Sequence, residues 1–189
     1  MKGRVVIADD EPITRMDIVE MMHEEGYNVV GEASDGLDAI ELCKKYKPDL
    51  VLMDVKMPLL NGLKAAEVIN QDELAGCIVL VTAYSGKEFI EEAKNAGAMG
   101  YIVKPISEKN LLPALEVAIS KSKEFNRMKK EVKKAQTQLE DRKQIERAKG
   151  ILMKNEGLSE EEAYNRIRTL SMSKRLSMGE IAKIITMNQ

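Results

Sequence analysis

Five times in the first 120 residues, a short apolar run rich in β-branched residues is followed by a longer amphipathic stretch, and this alternation restricts the possible folds more than any other feature. The runs RVVIA, NVVGEA, DLVLM, CIVLV and GYIV are separated by segments such as PITRMDIVEMMHEE, DGLDAIELCKKY and GKEFIEEAKNA. Runs apolar on both faces, each followed by a helical stretch, predict a parallel sheet covered on both sides, a doubly wound α/β domain. Turn residues agree: Gly26, Gly36, Gly62, Gly86 and Gly97 lie near segment boundaries, and Pro12 suits the first turn of the first helix.

After Pro113 the pattern changes. From Leu115 to Lys154 there is no proline, no glycine before Gly150, and a dense Lys/Glu/Gln content, which predicts one long helix. Phe125, Met128, Val132, Ala135 and Leu139 follow 3,4,3,4 spacing, the seam of a coiled coil that a dimer or an intramolecular helix pair would bury. With five apolar members, one of them alanine, the seam needs support from flanking domains. Gly157 ends the helix, and Ser159 with Glu162 and Ser177 with Glu180 fit capping boxes that open two further helices. Stripes of Ile145, Ala148, Leu152, then Ala163, Ile167, Leu170, then Ile181, Ile184, Ile185 predict a small three-helix bundle.

Charge divides the chain the same way. Residues 1–120 carry 12 Lys/Arg against 21 Asp/Glu, net −9, and residues 121–189 carry 17 against 10, net +7. A basic segment on an acidic protein favours a polyanionic partner, although solvated helix faces are also lysine-rich. Two cysteines, Cys43 and Cys77, without CxxC or metal-ligand spacing exclude a disulfide scaffold and point to a reduced, cytoplasmic compartment. The opening MKGRVVIADD has an apolar run of four before two aspartates, too short for a signal segment or a membrane span, and no membrane association is expected. His23 is the sole histidine and no glycine-rich nucleotide loop is present, so the chain cannot itself be a histidine kinase.

Aligned with the expected strands, the polar residues converge: Asp9 and Asp10 end strand one, Asp54 strand three, Thr82 strand four, and Lys104 strand five. In a sheet of order 2-1-3-4-5 the ligand crevice lies at the carboxyl ends of strands one and three, where strand order reverses. Three aspartates gathered there repel one another unless a hard cation joins them, and oxygen-only ligands with an incomplete protein shell suit Mg²⁺. Asp54 is then placed to attack phosphorus and hold an acyl phosphate, with Lys104 and the Thr82 hydroxyl on the phosphoryl oxygens. Taken singly, each aspartate is as readily a turn former or helix cap, Thr82 a cap, and Lys104 plain loop. Jointly those roles do not explain why acids, hydroxyl and amine share one edge.

These residues resemble a known family. VVIADDEP, VLMDVKMP followed by NG, VTAYS and YIVKP are similar to the receiver domains of two-component response regulators, over about residues 1–120. The resemblance implies a flavodoxin-like fold, Mg²⁺ ligated by Asp10, Asp54 and the backbone carbonyl of Lys56 with Asp9 helping through water, phosphate bound by Thr82 and Lys104, Tyr101 as a switch aromatic, and a cis Lys104–Pro105 bond. It also implies a sensor histidine kinase as partner. The protein would not be an enzyme beyond Mg²⁺-dependent self-phosphorylation and autodephosphorylation.

The segment QIERAKGILMKNEGLSEEEAYNRIRTLSMSKRLSMGEIAKII resembles ANTAR domains, the RNA-binding output modules of transcription antiterminators, over roughly residues 135–188. Ala148-Lys149-Gly150, Leu152-Met153, and Ala163-Tyr164 with Arg168 carry the likeness; Ser171 stands where alanine is expected. Together with an intact phosphorylation site this most resembles the regulators of ethanolamine utilisation, a likeness that bears on pathway alone. The expected division is a receiver at 1–120, a coiled-coil linker helix at 121–144 and an ANTAR-like three-helix domain at 145–189. Phosphorylation of Asp54 would favour a homodimer whose paired bundles hold two hairpins in an mRNA leader. The expected RNA contacts are Lys149, Lys154, Tyr164, Arg166, Arg168, Lys174 and Arg175, with core packing the alternative for Tyr164. Two other outcomes stay open: a DNA-binding factor, against which GEIAKIITMNQ offers only Lys183 and two terminal polar residues for base reading, and a regulator acting through protein contacts alone.

Overall fold

The computed structural model describes residues 2–83 and 86–187. In chain order the elements are β1 (Arg4–Ala8), α1 (Pro12–Glu24), β2 (Asn28–Ala33), α2 (Gly36–Tyr46), β3 (Leu50–Asp54), α3 (Gly62–Gln71), β4 (Ile78–Thr82), α4 (Lys87–Asn95), β5 (Gly100–Val103), α5 (Glu108–Glu156), α6 (Glu160–Lys174) and α7 (Met178–Met187). The chain divides into two compact units, residues 1–125 and 126–189.

In the first unit all strands pair in parallel in the order β2-β1-β3-β4-β5, as the alternation of segments predicts. Side chains alternate across each strand, so neighbouring residues feed opposite layers. Val6, Ala8, Val51, Met53 and Leu80 pack against Ala39, Ile40 and Cys43 of α2 and Ala65, Ala66 and Ile69 of α3. Val5, Ile7, Leu50, Leu52 and Val79 pack against Ile18 and Met22 of α1 and Leu111, Leu115 and Ala118 of α5. The strands are buried from both sides, which is why their sequences read as continuous apolar runs. Burial pushes the thiol of Cys43 up to about 12 and that of Cys77 up to about 11, so both stay protonated at neutral pH.

The long helix starts earlier than its composition suggests. It begins at Glu108 rather than Leu115 and contains Pro113. Proline there removes one backbone donor and usually ends a helix; here Leu111 and Leu115, on either side, are fully buried under the sheet and hold the turn in place. Before it, Asn110 accepts from the Ser107 amide at 2.8 Å and donates to the Pro105 carbonyl at 3.0 Å, tying the turn that enters the helix. Further along α5 the seam residues Phe125, Met128, Val132 and Leu139 are all more than half exposed.

In the second unit, Ala148 and Leu152 of α5, Ala163 and Ile167 of α6, and Ile181 and Ala182 of α7 form the bundle core. Both serine caps are present: the Ser159 amide donates to Glu162 and the Glu162 amide to the Ser159 hydroxyl, and Ser177 and Glu180 repeat the arrangement. Gly157, at φ +68°, takes the left-handed backbone that ends α5. Among the described residues no helix is long and apolar enough to cross a membrane. With so small a core, Ile167→Ala should cost about 2–5 kcal/mol, enough to open the bundle. Hydrogen exchange is expected to show α6 and α7 amides losing protection while the sheet amides keep theirs.

Candidate functional site

The parallel sheet brings Asp9, Asp10, Asp54, Thr82 and Lys104 to its carboxyl edge. β1 pairs with β3 so that Ala8 lies beside Met53, which sets the Asp9-Asp10 turn next to Asp54. β4 pairs with β5 so that Thr82 lies beside Val103, one residue before Lys104. One carboxylate oxygen each from Asp9, Asp10 and Asp54 lies within 4.8 Å of the others. Asp9, Asp54 and Thr82 are buried, Asp10 is exposed, and the Lys104 side chain is 23% exposed.

Asp9 and Asp54 each use their two oxygens differently. Asp9 Oδ1 accepts from the Glu11 amide at 2.9 Å and Asp54 Oδ1 accepts from the Val55 amide at 2.8 Å. These are the turn-forming roles expected of aspartate after a strand. The other oxygens face the site: Lys104 Nζ stands 2.9 Å from Asp9 Oδ2 and 3.3 Å from Asp54 Oδ2. Asp9 Oδ2 is buried and has no well-aligned hydrogen-bond donor, so the ammonium serves it as a charge rather than as a directed donor. Burial raises the Asp54 carboxyl above its ordinary value, and the Asp9 charge adds to that, against the opposing pull of Lys104. Burial alone would lower the Lys104 ammonium, but its close contact with Asp9 and the charges of Asp54 and Asp9 outweigh it and the net shift is upward.

A buried acid pair with an under-coordinated oxygen and an exposed third carboxylate fits a hard divalent cation that keeps some of its waters. Lys56 lies two residues beyond Asp54, in a loop whose backbone is tied by Gly62 N–H to Val55 C=O at 2.9 Å and by Gly36 N–H to Leu60 C=O at 3.1 Å. Pro105, after Lys104, follows a cis peptide bond. Tyr101, on β5, is 37% exposed and meets Phe89 edge-on, with ring centroids 6.1 Å apart.

Two supporting residues lie outside the expected set. Arg15 on α1 donates from Nη1 to the Asp9 carbonyl at 2.6 Å and pairs at 3.4 Å with Glu32, clamping the β1–α1 turn. Gly62 opens α3 against the Asp54 carbonyl, where a Cβ would come within 2.0 Å of the oxygen. Its nearness to Asp54 was readable as an Asn-Gly helix start, but the close approach was not.

In the second unit the expected contact residues separate. Lys154, Arg166, Arg168, Lys174 and Arg175 are exposed, and Tyr164 is 42% exposed rather than packed in the core. Lys149 differs from the expectation: it is buried, with its ammonium 2.7 Å from Glu160 and 2.9 Å from Glu146. It joins α5 to α6. Ser171, where alanine was expected, donates to the Leu176 carbonyl at 2.6 Å and steadies the end of α6. Asn188 and Gln189, the polar residues weighed for base reading, lie outside the described residues.

The geometry is that of a receiver, and comparison with known proteins agrees. The family model of the response regulator receiver domain matches residues 5–116, and that of the ANTAR domain matches residues 133–185. The chain belongs to the response regulators, with an ANTAR domain as RNA-binding output. It is 46% identical over 182 residues to the transcriptional regulatory protein PdtaR of Mycobacterium tuberculosis, covering 96% of this chain and 88% of that protein. Among solved structures it is similar to the receiver domain of the response regulator NarL from M. tuberculosis, with a TM-score of 0.59 and 32% identity over 63% of this chain and 97% of that one. It is also similar to CheY of Borrelia burgdorferi, solved in complex with CheX, BeF3 and Mg, with a TM-score of 0.56 and 25% identity over 59% of this chain and 85% of that one.

The site's electrostatics predict a metal response. Because the folded Asp54 carboxyl titrates above its unfolded value, the stability it gives is present below the unfolded pKa and is lost as pH rises through the folded value. At neutral pH without divalent cations, Asp54→Asn should be at least as stable as the native chain. Added Mg²⁺ should raise the native melting temperature with the logarithm of its concentration and leave Asp54→Asn nearly unchanged. Equal Mg²⁺ responses in thermal melts would count against a three-aspartate site.

Proposed function

We propose that the chain is a phosphorylation-controlled RNA-binding antiterminator acting in the cytoplasm. The observation that supports this most is the gathering of three carboxylates and one ammonium at the sheet edge, with the Asp54 oxygens divided between a backbone amide and Lys104. Asp54 would accept the phosphoryl group from a sensor histidine kinase: a carboxylate oxygen forms the new O–P bond as the P–N bond to the kinase's histidine breaks, and the nitrogen keeps the electron pair. Asp10, Asp54 and the Lys56 carbonyl would hold Mg²⁺, with Asp9 acting through water. The cation, when bound, neutralises charge on the transferring oxygens.

Lys104 shifts from the carboxylates to a phosphoryl oxygen, and Thr82 donates its hydroxyl to another. Movement of Thr82 toward the phosphate leaves room for Tyr101 to turn inward from its half-exposed position. A changed face on the receiver then favours a homodimer, and burial of Phe125, Met128, Val132 and Leu139 in a paired helix follows. Two output bundles held together would bind two RNA hairpins in an mRNA leader more tightly than either alone, by effective concentration, and so compete with terminator folding.

Treatment with a small phosphodonor and Mg²⁺ should label Asp54 by peptide mass mapping and move the chain from monomer toward dimer in sedimentation. Asp54→Asn should do neither, and Leu139→Lys should take the label without dimerising. Binding to hairpin RNA should weaken steeply with salt, and duplex DNA of equal length should bind much more weakly. Labelling without any change of assembly would reject the switch; equal binding to RNA and DNA would reject the output assignment.

A further inference from the structure

Gly150 stands exposed in the interior of α5, and beyond its chain neighbours and the backbone of its own helical turns nothing lies within 4 Å of where its Cβ would be. Glycine inside a helix is unfavourable relative to alanine, because it has more backbone freedom to lose. Other glycines of this unit have reasons within the chain: Gly157 takes a positive φ, and a Cβ on Gly179 would run into the Asp141 carboxylate. Gly150 has neither reason. The missing side chain instead opens the floor of a groove lined by Arg147, Ile151 and Lys154 of α5 and Thr186 of α7.

The groove is basic. Arg147 and Lys154 are exposed about one turn to either side of Gly150, no acidic residue lines it, and neither cation is taken up by an ion pair among the described residues. Lys149, the adjacent cation, is held by Glu146 and Glu160 and leaves the groove to the other two. By contrast, α6 opens with Glu160, Glu161 and Glu162 just before Tyr164, an acidic approach to a polyanion.

We propose that the groove between α5 and α7 seats the sugar-phosphate backbone of the RNA, with Gly150 letting the strand reach the helix backbone and Arg147 and Lys154 neutralising phosphates on either side. This rests on the RNA-binding reading above and assigns the face that performs it. A symmetric contact between two copies would instead set like charges together, which favours the polyanion as occupant.

The test uses the full chain with phosphodonor and Mg²⁺. Its probe is a fluorescent two-hairpin RNA selected against that chain from a pool with randomised loops. Gly150→Ala should melt at a higher temperature than the native chain, since alanine favours the helix and meets nothing, yet bind the RNA several-fold more weakly. Gly150→Leu should bind roughly tenfold more weakly or worse, the scale of one lost close contact. Arg147→Gln and Lys154→Gln should each lower the slope of log affinity against log salt by about one. Native-like RNA affinity in both Gly150 variants overturns the proposal while leaving RNA binding intact. So does a loss of self-association in Gly150→Leu, without RNA, equal to its loss of affinity, because the groove would then be a protein interface. Enrichment of no RNA by the native chain rejects the RNA-binding reading itself.

Discussion

The contact of the Lys104 ammonium with Asp9 and Asp54 is the interaction on which the rest of the receiver depends. Three carboxylate oxygens within 4.8 Å, two of them on buried residues, would repel one another if nothing compensated them. Lys104, carried on β5 at the far side of β4, compensates two of them at 2.9 and 3.3 Å. The sheet, the helices that bury it and the loops tied by Gly36 and Gly62 together hold that charge balance in a position where a cation or a phosphoryl group can disturb it. A site whose inward-facing oxygens are balanced by a lysine suits a switch, because arrival of new charge gives the ammonium another partner.

The output half obeys a different economy. Its core is a handful of aliphatic side chains, and its helix ends are secured locally by two serine–glutamate boxes and by the Lys149 clamp between α5 and α6. Stability obtained from caps and an ion pair between helices leaves the outer faces free to be polar and basic. The exposed seam on α5 and the uncompensated cations of the bundle are the surfaces that the fold does not consume.

Most of the fold was legible because its signals are local and repeated. Five apolar runs located the strands to within a residue or two, and the polar residues that follow them located the site. Pro113 obscured the start of α5, since its local preference to end a helix was overridden by burial of Leu111 and Leu115, which sequence spacing does not reveal. Arg15 and Gly62 were missed as supports because what they touch, the Asp9 and Asp54 carbonyls, is backbone brought near by tertiary packing. Lys149 looked available for RNA because one of its partners, Glu160, lies on the next helix. Local patterning thus marks which residues are polar and where they start from; which charges find each other across elements is decided by packing.

Coupling between the two halves is the central claim, and the dissociation constant for a selected two-hairpin RNA, measured with and without phosphodonor at fixed salt and Mg²⁺, tests it most directly. The account predicts tighter binding on phosphorylation in the native chain, by more than one bundle alone provides, and no change in Asp54→Asn. Equal affinity with and without phosphoryl on Asp54 would show that receiver and output share a chain without sharing a switch.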